Sequence, residues 1–481
     1  DHLSAQVKGG SKALPGFARQ FQAVRDVEND PGAWNCLVTG LKNGAPPPKE
    51  EHPFFQLKPI SADRNHLFFG RRHETAQIID ILRDRNLVLV AGASGSGKSS
   101  LVRAGLIPAW RGNAVGVRRG EHPEQGDWLT ITMTPGDSPW ENLGKAVIEA
   151  AEQERGLSPS QAAEFATLAQ NDDPVVKERA LRLNADPDKA RVLLVVDQFE
   201  ELFVRKSISP ETRRSFAEFL ARLADPRDPA FAVALTMRGD YTNHLANDPG
   251  AASLQARLQA HDGRARFTLR SILMSDPDNP AAGTERLRQV VTGPLALAQW
   301  PVAEAEALAD MVLRDAGGDA GDLALVQFAL SETWAQRGNN GNDLLRSYAS
   351  VGRVEGALAK SADEALNALV QNGLATEADA EAALIRLGSL IGTSPLRRTA
   401  HRSEFTAPRW EALQFLASEE GRRLVQITGE GDAATVEIAH EALLTQWKTL
   451  NGWLSRDPEG KRLLDGFVQR AREVADAPPA R

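Results

Sequence analysis

The chain has one cysteine, Cys36, in 481 residues, so no intrachain disulfide can form and a zinc cage of several thiolates is excluded. That usage fits a reducing cytoplasm. No apolar run approaches the roughly 20 residues needed to cross a bilayer, and the first residues lack the charged-then-apolar pattern of a signal peptide. Positive charge is not in excess either. The 56 Lys and Arg against 64 Asp and Glu leave a net charge of −8, which removes any global electrostatic reason to bind nucleic acid or an anionic membrane. No internal repeat of solenoid or propeller period is visible. The first residue is Asp1 rather than Met, as expected of a piece of a longer protein.

What is present is ordinary globular material, 42% hydrophobic and 25% charged. The length is too great for one core and implies about two to four domains. Residues 1–43 carry a strand pattern, Phe21 to Val27, and a helix capped by Asp30-Pro31. A proline-rich linker follows over 44–64. Residues 65–271 alternate between aliphatic strands and helical stretches, the pattern of an α/β domain with a parallel sheet covered on both faces. The stretch from Gln153 to Pro187 reads as a helical excursion between the second and third strands. Residues 272–375 have helical spacing throughout, and residues 376–457 mix helices with a hairpin, Leu424 to Thr428 and Thr435 to Ala439, which suggests a winged helix. One more helix and a tail occupy 458–481.

The chemistry is concentrated after the first strand of the α/β part. Gly92-Ala-Ser-Gly95-Ser96-Gly97-Lys98-Ser99 is a complete G-x-x-x-x-G-K-[ST] loop, delivered by Leu87 to Ala91 and followed by a helical pattern. In that context the backbone N–H groups of the turn face a phosphate at the positive end of a helix, with Ser100 in its first turn. Lys98 neutralises the β and γ phosphates, and the Ser99 hydroxyl is the expected Mg²⁺ ligand. A second metal anchor is needed, and Asp197, at the end of Val192 to Val196, supplies it. Position 198 is Gln, so the acidic candidates for orienting or deprotonating the attacking water are Glu200 and Glu201. Both also suit the start of a helix, and Glu200 is the preferred of the two. Arg238 ends the next strand, where an arginine reads the γ-phosphate or pairs with Asp240 or Glu200.

Taken in order, these motifs resemble the novel STAND group of signal-transduction NTPases, relatives of the NACHT and plant-resistance switches. Phe68-Phe-Gly-Arg71 with Glu74 is similar to the group's hhGRxxE motif, which adds Arg71 to the nucleotide-contacting candidates. Asp197-Gln-Phe-Glu-Glu-Leu-Phe203 resembles its Walker B signature, and Arg238 falls at its sensor position. Val436-Glu-Ile-Ala-His440 through Trp447, with Trp453, looks like the winged-helix signature in which a histidine approaches the nucleotide. The resemblance implies a resting ADP state in which His440 contacts the β-phosphate. Exchange for ATP, set off by a ligand sensed elsewhere, then drives oligomerisation. One departure is Ala324, where related switches carry a proline against the base. Residues 14–41 look like the last strand and helix of a bacterial TIR domain, which implies an NAD⁺-cleaving effector whose catalytic residues lie outside this chain.

Other functions remain open at this level. A winged helix can read DNA under ATP control, although acidic residues outnumber basic ones over 376–457 and the clusters Arg397-Arg398 and Arg422-Arg423 are small. A continuously cycling motor ATPase needs a clear catalytic glutamate and an arginine finger. A scaffold that only binds nucleotide needs no more than the loop, Lys98 and Asp197.

Overall fold

The computed structural model describes residues 52–111, 128–155, 191–205, 208–228, 231–260, 263–273, 281–316, 322–391, 394–418, 420–428, 431, 434–439 and 442–456. The N-terminal strand and helix, most of the excursion between the second and third strands, His440 and the C-terminal tail lie outside them. The chain divides into two compact units: the first contains 58–313 and 318–323, the second 54–57, 314–317 and 324–481. The division therefore falls within the 272–375 stretch read from the sequence as one helical domain.

Five strands make the sheet of the first unit: β1 (Leu87–Gly92), β2 (Trp128–Met133), β3 (Arg191–Val196), β4 (Phe231–Arg238) and β5 (Arg266–Leu269). Their order is β2-β3-β4-β1-β5, with every pairing parallel. The continuous aliphatic runs have a simple cause. Leu87, Leu89, Leu194, Val196, Val233 and Leu235 face one layer of helices, while Val88, Val90, Leu193, Val195, Ala232 and Ala234 face the other. Both faces of the inner strands β1, β3 and β4 are buried, so no polar alternation survives in them, whereas the edge strand β5 exposes Arg266 and Thr268.

The first layer contains Pro139–Arg155 and Pro210–Leu223. Trp140 packs edge-on against Phe216 and Phe219, with ring centroids 5.0 and 5.2 Å apart. Ser209 caps the second of these helices by accepting from Thr212 N–H, and Pro210 fills its first position. The opposite layer contains Arg72–Arg85 and the helix that leaves the glycine turn as Lys98–Ser100, Leu101–Leu106 and Ile107–Trp110. In its middle segment the turns widen, and the N–H of Ile107 bonds to the carbonyl of Val102.

Gly293-Pro294, which reads in sequence as a helix end, lies inside Ala282–Leu297. A Cβ on Gly293 would sit 2.6 Å from the Phe69 ring, so the glycine is what lets that aromatic close on the helix.

The second unit is mainly helical, with Arg353–Gln371 as its longest helix. Its strands are β6 (Gly388–Ile391), β7 (Ser394–Arg397), β8 (Ala400–His401), β9 (Val425–Thr428) and β10 (Thr435–Ile438). The expected hairpin is β9-β10, antiparallel, and β8 joins it to make three strands; β6 and β7 pair separately. Three of these five strands were not expected, because two to four residues including Pro395 carry too little periodicity to be read. Trp447 is fully buried, and its indole N–H and the Thr449 hydroxyl both donate to Asp363 Oδ1, at 2.6 and 2.8 Å. The segment Phe54–Leu57, expected as linker, belongs to this unit: Phe55 N–H donates to Gln327 and Gln56 to the buried Glu332.

Candidate active site

The parallel register brings the chemistry together. Gly92 at the end of β1 is level with Arg238 at the end of β4, and Val196, just before Asp197, pairs with Leu235. Because β4 lies between the loop strand and the Asp197 strand, these carboxyl ends share one edge of the sheet with the glycine turn.

The turn itself depends on missing side chains. A Cβ on Gly92 would stand 2.7 Å from the carbonyl of Leu269 on β5. Gly97 has φ of +91° at the helix start, a left-handed conformation that disfavours any other residue, and Gly95 has φ of +73°. The Ser96 hydroxyl is buried with no hydrogen-bond partner among the described residues. Lys98 crosses the turn and donates to the carbonyls of Gly92 and Ala93 at 3.0 and 2.7 Å. Burial lowers its pKa, opposed by the nearby carboxylates of Glu200 and Asp197. The Ser100 hydroxyl points elsewhere, accepting from the N–H of Ile60.

Asp197 is 1% exposed and heavily bonded. Its Oδ1 accepts from Thr236 Oγ1 at 2.5 Å, Ser99 Oγ at 2.8 Å and Gln198 N at 3.2 Å, and its Oδ2 accepts from Arg103 Nη2 at 2.8 Å. The Ser99 hydroxyl donates its hydrogen bond to the carboxylate, which leaves its oxygen lone pairs available. A hydroxyl oxygen beside a carboxylate is the hard-oxygen donor set that suits Mg²⁺, so Ser99 and Asp197 fit that ion.

The two acidic candidates part company. Glu201 accepts from the N–H of Gly136 at 2.8 Å and from Arg205 at 2.9 Å, which ties it to the loop after β2. Glu200 instead faces Lys98 and accepts from the N–H of Arg238 at 3.2 Å, and burial raises its pKa against the pull of Lys98. Of the pair, Glu200 has the surroundings of a base. The Arg238 guanidinium bonds to Asp240 at 2.8 Å and lies over the Tyr241 ring.

Arg71, a candidate for nucleotide contact, is buried behind the turn. It donates to Glu74 at 2.7 Å, to the Ser96 carbonyl at 3.3 Å and to the Arg270 carbonyl at 3.0 Å. With 4% exposure, its role in this arrangement is to hold the turn. Two participants escaped sequence reasoning: Thr236, a buried hydroxyl in an otherwise aliphatic strand, and Arg103, four residues after Ser99. A lone polar residue in β4 was the available signal for the first.

Outside this edge, one arginine of each cluster in the second unit is engaged with carboxylates. Arg398 pairs with Glu404 at 2.5 Å, and Arg422 with Glu332 and Glu364 at 3.4 and 3.6 Å. Among the described residues no helix is long and apolar enough to cross a membrane.

A glycine turn on one strand, a carboxylate on a strand two places away and a lysine between them on a parallel sheet define a P-loop NTPase. The family model for novel STAND NTPase 1 matches residues 53–477, and the chain belongs to that family. No curated protein matches it significantly. Among solved structures it is similar to the Walker-type ATPase paby2304 of Pyrococcus abyssi, at 15% identity over 82% of this chain and 99% of that one, with a TM-score of 0.38. It is also similar to Cdc6p from Pyrobaculum aerophilum, at 13% identity over 81% and 95% with a TM-score of 0.33. The ORC2 protein of Aeropyrum pernix, solved with ADPNP and ADP, gives 12% identity over 80% and 93% and a TM-score of 0.37.

Proposed function

We propose that the chain is the nucleotide switch of a bacterial defence or signalling protein, resting with ADP and assembling into an oligomer with ATP. The observation that carries the reading is the convergence of Lys98, Ser99, Asp197 and Glu200 at one end of the parallel sheet. Lys98 leaves the carbonyls of Gly92 and Ala93 for the phosphates, whose charge compensates its burial. Mg²⁺, held by Ser99 with Asp197, supplies charge neutralisation at the phosphates when bound. Glu200 orients the attacking water and takes its proton, a task suited to a carboxylate whose pKa burial has raised. Arg238 exchanges Asp240 for the γ-phosphate, which makes it the group whose contacts differ between ATP and ADP. Hydrolysis then serves as a slow reset.

In this reading the segment with β8, β9 and β10 is a winged helix, and His440 locks the ADP state by touching the β-phosphate. A trigger ligand releases the lock in the cytoplasm. The assembled switch brings together TIR-type effector units, of which residues 1–43 are the end, for cleavage of NAD⁺. Support comes from the three-stranded antiparallel sheet after the helices and from the family match.

The test is to denature the purified protein and separate the released nucleotide by chromatography. Stoichiometric ADP is the expected result for the wild type, with none for Lys98→Ala. Light scattering with ATP then reports assembly. Assembly that persists in Lys98→Ala sinks the switch, and a His440→Ala variant that stays monomeric and inert without trigger sinks the lock.

A further inference from the structure

Asp197 is a fully buried carboxylate, and a buried carboxylate needs a counter-charge. Lys98, the nearer textual candidate, spends its ammonium group on two carbonyls. The ion pair that Asp197 makes is with Arg103, Nη2 to Oδ2 at 2.8 Å. The division of labour between the two oxygens is informative. Oδ1 is taken by three neutral donors, Thr236, Ser99 and the Gln198 N–H, whereas Oδ2 receives only the arginine among the bonds formed by described residues.

Arg103 is weakly anchored for such a role. Its side chain is 34% exposed against 2% for Asp197, and its Nε has no hydrogen-bond partner among the described residues. Its one charge-assisted bond is to the oxygen that flanks the Ser99 hydroxyl site. It also stands in the widened segment Leu101–Leu106 of the same helix that begins with Lys98 and Ser99.

We propose that Arg103 is a tethered counter-ion of the cation site, holding Asp197 Oδ2 until a divalent cation displaces it and so setting the Mg²⁺ concentration at which the nucleotide is gripped. The inference rests on the nucleotide reading above and adds a residue that governs its metal dependence. Arg103 is a positioning residue: it acts on Asp197 and touches neither phosphate nor water. Removing its charge strengthens the field of the carboxylate toward a cation, whereas a residue that served the phosphates would weaken binding with or without metal.

The experiment is a Mg²⁺ titration of the intact chain with a fluorescent ATP analogue at fixed concentration, starting from excess EDTA, for wild type, Arg103→Gln and Arg103→Lys. Arg103→Gln is expected to lower the Mg²⁺ midpoint about three- to tenfold, with binding in EDTA unchanged, and Arg103→Lys to stay near wild type because the charge remains. An unchanged or raised midpoint in Arg103→Gln overturns the proposal. So does an equal shift in both variants, or a loss of binding in EDTA, which assigns the arginine to the phosphates. A wild type that binds the analogue without any response to Mg²⁺ overturns the cation site itself, and is thereby distinguishable from failure of the arginine alone.

Discussion

Arg71 Nη2 lies 3.3 Å from the carbonyl oxygen of Ser96, a bond that ties the segment before the helix Arg72–Arg85 to the back of the phosphate turn. The same guanidinium reaches Glu74 and the carbonyl of Arg270 beyond β5, so one buried cation joins three parts of the chain. Arg71→Ala leaves the Glu74 carboxylate buried with Arg286, at 3.6 Å, as its remaining cation among the described residues, where one of its oxygens already has no partner. The expected loss is about 3–5 kcal/mol of unfolding free energy. Arg71→Lys rescues little of it, since an ammonium cannot span a carboxylate and two carbonyls in a plane. Urea denaturation measures both, and unchanged midpoints show that the clamp is dispensable.

Thr236→Val keeps the shape of β4 and deletes the hydroxyl that donates to Asp197. The N–H of Gln198 also loses its bond to that oxygen. A cost of about 1–3 kcal/mol follows from the lost hydrogen bond to a buried carboxylate, together with weaker Mg²⁺-dependent nucleotide binding because one fewer donor orients Asp197. Thermal melts with and without Mg²⁺ and nucleotide separate the two effects; equal stabilisation by ligand in both proteins counts against an orienting role.

Glu200 makes stability depend on pH in a defined direction. Its folded-state pKa is raised by burial, so between the ordinary glutamate value and the raised one the folded protein holds more protons than the unfolded chain, and stability falls as pH rises. Glu200→Gln removes that slope. It also removes the proposed base, with turnover expected to drop about 10²-fold or more while nucleotide retention persists. Unfolding curves across the acidic to neutral range and single-turnover hydrolysis provide the readings. A variant that hydrolyses at the wild-type rate excludes Glu200 as the base.

In the second unit, Asp363 accepts from both Trp447 Nε1 and Thr449 Oγ1. Asp363→Ala strands the indole N–H of a fully buried tryptophan, at an expected cost of about 1–3 kcal/mol. Asp363→Asn retains one acceptor oxygen and is expected to recover part of that loss. Tryptophan fluorescence during urea unfolding reports it directly, and an Ala variant as stable as wild type dismisses the contact as incidental.

Legibility followed burial and locality. The inner strands of the sheet were readable because both of their faces are buried, so hydrophobicity runs unbroken through Val192 to Val196 and Phe231 to Leu235. The glycine turn was readable because backbone sterics at Gly92 and Gly97 leave few alternatives. The sequence favoured Glu200 over Glu201 but held no geometry to separate them. Adjacent residues at a helix start look alike in sequence, and only the path of the chain sends one toward Lys98 and the other toward Gly136 and Arg205. Arg71 illustrates the opposite case, in which a recognisable motif marks a residue whose guanidinium the fold buries behind the site.

From its residues alone the chain specified a phosphate-gripping turn, a carboxylate at the end of a buried strand and the alternation of strand and helix, because each depends on neighbours close in sequence. Tertiary structure alone decided which side chains gather where β4 stands between β1 and β3, a strand order that the motifs had already implied. That placement brings Thr236 and Arg103 to opposite oxygens of Asp197, a meeting of residues far apart in the chain that no local spacing encodes.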